Sequence, residues 1–142
     1  MKKFRSDCPI NCALDLVGDK WTLLIMRDML VTKKQTFKEF SDSDEGIATN
    51  ILSNRLALLE EHGIITKRKL PNNKKSNIYA PTQRGIDLLP IILEMAAWSF
   101  GHRANLNPDM LLTHQASVEL YQQDKVAFLE QFNREFDEPV IV

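Results

Sequence analysis

The sequence of 142 residues predicts a mainly helical α+β fold, in which a two-stranded hairpin follows four short helices. Two patterns support this fold class. Apolar residues recur at spacings of three and four over most of the chain, which is typical of amphipathic helices. Residues 64–81 instead place strand-forming stretches on both sides of a turn-forming segment. With 44% hydrophobic and 26% charged residues, the composition is that of a folded protein rather than a disordered one.

The first two helices are predicted near the N-terminus. Pro9 favours the first position of a helix that extends to about Val17, with Cys8 as its capping residue. Gly18 is predicted to leave this helix in a left-handed conformation, and Asp19 to cap the second helix. The apolar face of the first helix consists of residues spaced three and four apart: Ile10, Ala13, Leu14 and Val17.

A short third helix is predicted after Thr36, and a longer fourth one from about Ala48 to His62. The fourth helix has two different faces. One carries leucines at core spacing: Leu52, Leu56 and Leu59. The other sides carry short hydrogen-bonding side chains and one cation: Thr49, Asn50, Ser53, Asn54 and Arg55. Because Glu and Lys are more usual on a purely structural surface helix, this composition favours a binding role.

Residues 64–70 and 76–81 are predicted to be two strands, with the turn-forming residues Pro71, Asn72 and Asn73 between them. The stretch from Ile64 to Arg84 contains basic residues and no acidic one: Lys67, Arg68, Lys69, Lys74, Lys75 and Arg84. Such a segment attracts phosphate groups. An ordinary solvated hairpin is the alternative.

The C-terminal part is predicted to be helical. One helix is expected from Thr82 to about Gly101, bent at Pro90 because proline lacks the N–H of a regular helix. Apolar residues cover most sides of this helix, so part of its surface is expected to pack on a second subunit. Net charge changes from +4 over residues 1–106 to −5 over residues 107–142, where two more helices are predicted. Those helices are expected to pack on the domain or its twin, or to cover a ligand cavity.

This order of helices and hairpin is that of a winged helix-turn-helix. A major groove about 12 Å wide admits one helix, whose short polar side chains reach base edges while hairpin lysines meet the backbone. The sequence shows no phosphate-binding glycine loop, nucleophile–base motif or metal-ligand cluster, so neither an enzyme nor a metal or cofactor site is expected. The chain also lacks an apolar run of about 18 residues, and a cytoplasmic location is expected.

At these residues the sequence resembles the HxlR-type transcriptional regulators, which are relatives of the MarR group. Four blocks carry the resemblance: CPINCALDLVGDKWTLLIMRDML at 8–30, FKEF at 37–40, GIATNILSNRLALLEEHGII at 46–65 and YAPTQRGIDLLPIILEMAAW at 79–98. The resemblance implies a homodimeric regulator of double-stranded DNA, which we interpret as a repressor. Residues 1–106 would form the DNA-binding domain, and residues 107–142 an acidic helical extension. The alternative is a winged-helix module that only dimerises or binds other proteins.

By this resemblance the fourth helix is the recognition helix. Thr49, Asn50, Ser53 and Asn54 are then expected near base edges, and Arg55 on a phosphate or a base. In the hairpin the candidates for phosphate or minor-groove contact are Lys67, Lys69, Lys74 and Lys75. Thr49 and Ser53 have helix capping or solvent exposure as alternatives. For Arg55 the alternative is an intramolecular bond to an acid such as Glu39 or Glu60. Leu70 and Pro71 stand where many relatives have an aromatic residue and a second proline, so the wing geometry departs from theirs.

Cys8 is the candidate redox-sensing residue. It lies at the positive end of a helix dipole and follows Lys2, Lys3 and Arg5, which is expected to make its thiol reactive. Regulators that this chain resembles use the cysteine of the Cys-Pro motif to detect electrophiles or oxidants, by alkylation or by an intersubunit disulfide. The alternative is a structural cap. A Cys8–Cys12 bridge within one regular helix would be strained.

Overall fold

The computed structural model describes residues 3–137, which form nine helices and one two-stranded sheet. These residues fall into two compact units, one ending at Asp87 and the other starting at Leu88. The first contains α1 (Pro9–Val17), α2 (Lys20–Leu30), α3 (Phe37–Ser41), α4 (Thr49–Glu61), β1 (Ile65–Leu70), β2 (Asn73–Pro81) and α5 (Gln83–Ile86). The second contains α6 (Leu89–Gly101), α7 (Arg103–Leu106), α8 (Gln115–Gln123) and α9 (Lys125–Asp137). The predicted mainly helical α+β class is confirmed.

Local capping sets where the N-terminal helices begin. Asp19 Oδ2 accepts the Thr22 N–H at 3.0 Å and so starts α2. Thr36 and Glu39 form a reciprocal capping box at the start of α3. Cys8 occupies the cap position of α1, but its side chain makes no capping hydrogen bond.

Glycines end two of the helices in different ways. Gly63 follows α4 with φ of +69°, a left-handed conformation that non-glycine residues rarely adopt. The left-handed exit predicted at Gly18 is wrong, because its φ is −73° and its N–H bonds the Leu14 carbonyl at 2.8 Å, as in a continuing helix. A Cβ at Gly18 would approach the Leu14 backbone too closely, so space rather than handedness explains the glycine.

The core of the first unit holds α4 by its leucine face. Leu52, Leu56 and Leu59 are buried as predicted, and α4 packs against α2, α3 and β1. Phe40 of α3 meets Tyr79 of β2 edge to face, with ring centroids 6.2 Å apart. The opposite face of α4 is therefore directed to solvent.

The hairpin is antiparallel, with a shorter connection than predicted. Its first pairs are regular, from Ile65 opposite Pro81 to Lys69 opposite Asn77. The register then shifts, so that Leu70 lies opposite Asn73 and only residues 71 and 72 form the turn. The second strand therefore starts at residue 73 rather than 76.

The helix predicted from Thr82 to Gly101 is two helices. Thr82 caps α5 through the Gly85 N–H, but α5 ends at Ile86 and α6 starts afresh at Leu89. Pro90 lies in the first turn of α6, where a missing N–H costs nothing. The predicted proline bend is thus wrong, because the proline begins a helix instead of interrupting one.

The second unit is built around α6, α8 and α9. Val118 and Tyr121 of α8 are buried, and the Tyr121 hydroxyl donates to Glu94 of α6 at 3.0 Å. Leu111 and Leu112 precede α8 and are exposed. Within residues 3–137, no helix has the length and apolar character needed to cross a membrane.

Candidate nucleic-acid interface

The solvent face of α4 carries a group of short polar side chains. Thr49, Asn50, Ser53 and Asn54 are all exposed and lie within an arc of roughly 140°, on the part of the helix surface next to the buried leucine face. Thr49 does not cap the helix, because the cap position belongs to Ala48. Neither Thr49, Asn50 nor Ser53 uses its side chain in a hydrogen bond within the described part of the chain. Their polar groups are available to an external partner.

Arg55 forms an ion pair with Asp19, the residue that caps α2. Its Nε donates to Asp19 Oδ2 at 2.9 Å, and its Nη2 to Asp19 Oδ1 at 3.4 Å. The alternative of an intramolecular ion pair is confirmed, but with Asp19 in place of the suggested Glu39 or Glu60. Asp19 is 36 residues away in sequence and reaches Arg55 only through packing of α2 on α4. The Arg55 guanidinium holds the pKa of Asp19 below its ordinary value of 3.8.

The same arginine orients Asn54. Arg55 Nη1 donates to Asn54 Oδ1 at 2.6 Å. Because a guanidinium only donates hydrogen bonds, it must meet the amide oxygen of Asn54 rather than the nitrogen. The Nδ2 group is therefore the part of Asn54 that remains to contact another molecule, and it is a donor.

The hairpin lysines differ in their surroundings. Lys67 and Lys69 lie on the same face of the sheet, and Lys67 Nζ is 3.9 Å from Glu60 Oε1 of α4. Among residues 3–137, no carboxylate pairs with the exposed side chains of Lys69, Lys74 or Lys75.

Two arginines of the basic segment have distinct positions. Arg84 donates to the His62 carbonyl at 2.7 Å, so it closes the end of α4. Arg68 is exposed on the sheet face opposite Lys67 and Lys69. Arg68 is not among the residues proposed above to contact DNA. Because side chains alternate between the two faces of a strand, Arg68 is the basic residue that β1 places on the second face.

An ionic network around the buried Asp28 holds the segment that leads into α4. The Asp28 carboxylate is 4% exposed and accepts from Arg27 at 2.7 and 2.9 Å, and from Ser43. Arg27 also donates two hydrogen bonds of 2.8 Å to the Glu45 carboxylate, and these bonds lower the pKa of Glu45. Lys34 donates to Ser43 at 3.0 Å. Because Ser43 and Glu45 lie between α3 and α4, this network fixes the turn of the helix-turn-helix.

Cys8 is exposed and Cys12 is half-buried. The Cys8 N–H donates to Ser6 Oγ at 3.3 Å, and Cys12 Sγ lies 3.7 Å from the Ser6 carbonyl oxygen. Arg5, expected to act on Cys8, is engaged elsewhere, with its Nε 2.5 Å from Asp15 Oδ1. Lys2 lies outside the described residues. In residues 3–137 no group of three potential metal ligands comes together.

An Asp19→Asn variant should show what the Arg55 pair contributes. Asparagine caps helices as well as aspartate does, so the substitution removes the charge and leaves the cap of α2. Near neutral pH we expect a loss of less than about 1 kcal/mol of unfolding free energy, since the pair is partly exposed. The pKa of Asp19 is lower in the folded protein than its ordinary value of 3.8. The contribution of the pair is therefore fully present above about pH 3.8 and is lost as the pH falls through the lower pKa of the folded protein. Urea unfolding across pH tests this, and a difference that persists at the lowest pH would contradict it.

Comparison with known proteins agrees with this geometry. The family described as HxlR-like helix-turn-helix matches residues 16–106, from the end of α1 through α7. The chain belongs to the HxlR-like helix-turn-helix family. It is a transcriptional regulator of the HxlR/MarR type with a winged helix-turn-helix, and proteins of this family are regulators rather than enzymes.

Named relatives and solved structures give the same result. YodB, an HTH-type transcriptional regulator of Bacillus subtilis, is 32% identical over 93 residues, which are 65% of this chain and 82% of YodB. The uncharacterized HTH-type transcriptional regulator sll1512 of Synechocystis is 33% identical over 62% of this chain, and the match spans 64% of its length. The redox regulator HypR in its oxidized form superposes with a TM-score of 0.59 and 28% identity, over 66% of this chain and 96% of HypR.

Proposed function

We propose that this HxlR-family regulator is a homodimeric repressor that binds specific double-stranded DNA sequences and responds to oxidants or electrophiles through Cys8. The observation that carries the DNA-binding part is the exposed polar face of α4. It lies on a helix held from behind by three buried leucines and is followed directly by a basic hairpin. Helix-turn-helix proteins read the major groove with such a helix and contact the backbone with flanking elements.

Each candidate residue then has a chemical role. Thr49, Asn50 and Ser53 would contact base edges, and Asn54 would offer its Nδ2 donor to an acceptor such as guanine O6 or thymine O4. Arg55 would act mainly by orienting Asn54. The N–H groups of Arg55 that bond neither Asn54 nor Asp19 would donate to a phosphate. Lys67, Lys69, Lys74 and Lys75 would contact phosphates or the minor groove as the wing follows the backbone.

Exposed apolar side chains support dimerisation. On α1, Ile10 is 71% and Leu14 54% exposed, although both belong to its apolar face. On α6, Met95 is 52% and Trp98 60% exposed. Large apolar side chains exposed on a helix face are normally covered by a partner. A second copy would cover it and set two α4 helices about 34 Å apart, one turn of DNA.

Cys8 would act on such a dimer. It is exposed at the start of α1, one turn before Cys12 and two residues before the exposed Ile10. Oxidation or alkylation there would add bulk or a bond beside the proposed subunit contact and so change the spacing of the two reading helices. The similarity to HypR, a redox regulator, supports this role. The dimer would act as a repressor by occupying promoter DNA and so excluding other proteins from it. This mode of action needs no surface for contact with another protein.

The deciding experiment measures binding of the reduced protein to DNA around its own gene, with and without diamide or methylglyoxal. We expect specific binding that either reagent weakens in wild type and in Cys12→Ser, but not in Cys8→Ser. If neither reagent changes DNA binding, Cys8 is not a sensor and has only a structural role at the cap position of α1. If no duplex binds even at low salt, the alternative of a dimerisation or protein-interaction module would replace the DNA-binding proposal.

Removing two wing charges should change the salt dependence of DNA binding. In a Lys74→Gln/Lys75→Gln variant we expect the slope of log K against log salt to become shallower by about 4, since each subunit of the proposed dimer loses two phosphate contacts and each contact contributes roughly one unit. Lys125→Gln removes one charge from α9 as a control and should leave the slope unchanged. Fluorescence anisotropy at several salt concentrations measures both, and an unchanged slope in the double variant would remove these lysines from the interface.

A further inference from the structure

A chain of four hydrogen-bonded side chains leads from the buried side of α2 to the polar face of α4. Thr22, which is 4% exposed, donates to Asp19 Oδ2 through its N–H at 3.0 Å and its hydroxyl at 3.3 Å. Asp19 in turn accepts from Nε and Nη2 of Arg55. The Nη1 group of Arg55 then donates to the exposed Asn54 at 2.6 Å. The orientation of an exposed amide is therefore tied to a buried residue of another helix.

The contact between Arg55 and Asn54 depends on Asp19. Neighbouring residues on a helix are about 100° apart around its axis, so their side chains do not face each other. A free arginine side chain also samples many rotamers, and fixing it in one of them costs entropy. Asp19 binds one edge of the guanidinium and leaves Nη1 for Asn54. Among the described residues, Asp19 is the only group besides Asn54 that bonds the Arg55 side chain.

We propose that Asp19 is a positioning residue that sets the base preference of Asn54, and that the base read there is guanine. An asparagine with a free amide binds adenine through two bonds, one from Nδ2 and one to Oδ1. Here Oδ1 faces a guanidinium, so Asn54 presents the hydrogens of Nδ2 alone. Guanine offers two adjacent acceptors in the major groove, O6 and N7, whereas thymine offers one. This inference rests on the proposed function, because it concerns the base that α4 contacts.

The positioning step is tested first in the free, full-length protein. In Asp19→Ser, serine keeps the cap of α2 but is too short to hold Arg55. We expect the Nδ2 order parameter of Asn54 from ¹⁵N relaxation to be lower in this variant than in wild type. Asn50 is the internal control, since its amide has no hydrogen bond in the described part of the chain, and it should be mobile in both proteins. The Asn54 signal is assigned by its absence in Asn54→Ala.

Base preference is then measured on duplexes that carry each of the four base pairs at every position of a site selected by wild type. The position that Asn54 reads is the one whose preference Asn54→Ala removes. There we expect wild type to favour guanine over adenine by at least about fivefold, and Asp19→Ser to lose or reverse this preference, since a free amide pairs with adenine. Arg55→Lys keeps a cation without the fork and should do the same. In an Asn54→Ala background, Asp19→Ser should change no preference further, because both residues act through one contact.

Glu60→Gln is the matched control. It removes another partly exposed ion pair of α4, the one with Lys67, and should leave every base preference unchanged. A wild-type Asn54 amide as mobile as that of Asn50, an adenine preference in wild type, or an unchanged preference in Asp19→Ser would overturn the inference. If wild type binds no duplex specifically, the proposed function fails and the guanine preference fails with it, while the relaxation data still decide whether Asp19 positions Asn54.

Discussion

An Asp28→Asn variant should lose about 2–3 kcal/mol of unfolding free energy, because it removes the buried carboxylate that Arg27 and Lys34 share. Asp28 is 4% exposed and receives hydrogen bonds from Arg27 and Ser43, with Lys34 Nζ 3.4 Å away. Asparagine has the same shape but no charge, so Arg27 and Lys34 would share only Glu45. The loss follows from electrostatics rather than from a cavity.

The same variant should also bind DNA more weakly, because Ser43 and Glu45 hold the turn that leads into α4. Urea unfolding near neutral pH measures the stability, and DNA affinity is compared at a temperature where the variant is folded. Asp42→Asn is the matched control. Asp42 is exposed and lies 3.6 Å from Lys38, so this change should cost less than about 1 kcal/mol. Equal losses in the two variants would show that the network contributes no special stability.

Gly85→Ala should cost about 3 kcal/mol or more, since α5 passes directly over the start of the hairpin. A Cβ on Gly85 would collide with the Ile64 carbonyl oxygen and lie 3.2 Å from Pro81 and 3.3 Å from Met26. The Ile64 carbonyl cannot retreat freely, because it accepts the Thr82 N–H at 3.0 Å. The backbone must therefore shift, and overpacking of this kind is strongly destabilising.

Gly101→Ala provides the comparison at the end of α6. No atom lies within 4 Å of a Cβ built there, and alanine favours helix over glycine, so the variant should be neutral or up to about 1 kcal/mol more stable. Thermal and urea unfolding report both variants. The interpretation of Gly85 as a close-packing residue would be falsified if Gly85→Ala unfolded at the same urea concentration as wild type.

Much of the fold was predictable because its signals are local. The leucine period of α4, the caps Asp19, Thr36 and Thr82, and the left-handed Gly63 each act within a few residues. Errors occurred where one local signal had two outcomes. Proline can bend a helix or begin one, and at Pro90 the chain uses the second option.

The candidate site was predictable only as a set of residue types. Exposure of the polar face of α4 follows from the same leucine period that buries the opposite side. The partners of its charged residues did not follow from sequence. Glu60, one of the alternative partners suggested for Arg55, lies near Lys67 instead. Arg84 bonds the end of α4 and does not join the cations of the wing.

The sequence by itself determined the first four helices, the basic hairpin, the polar face of α4 and the family, since each depends on spacing and residue type along the chain. Tertiary structure alone decided that Asp19 holds Arg55 and that a buried carboxylate fixes the turn before α4. The physical reason is distance. Hydrogen bonds and ion pairs form between groups a few ångströms apart, and only folding brings residues 36 positions apart, such as Asp19 and Arg55, within that range.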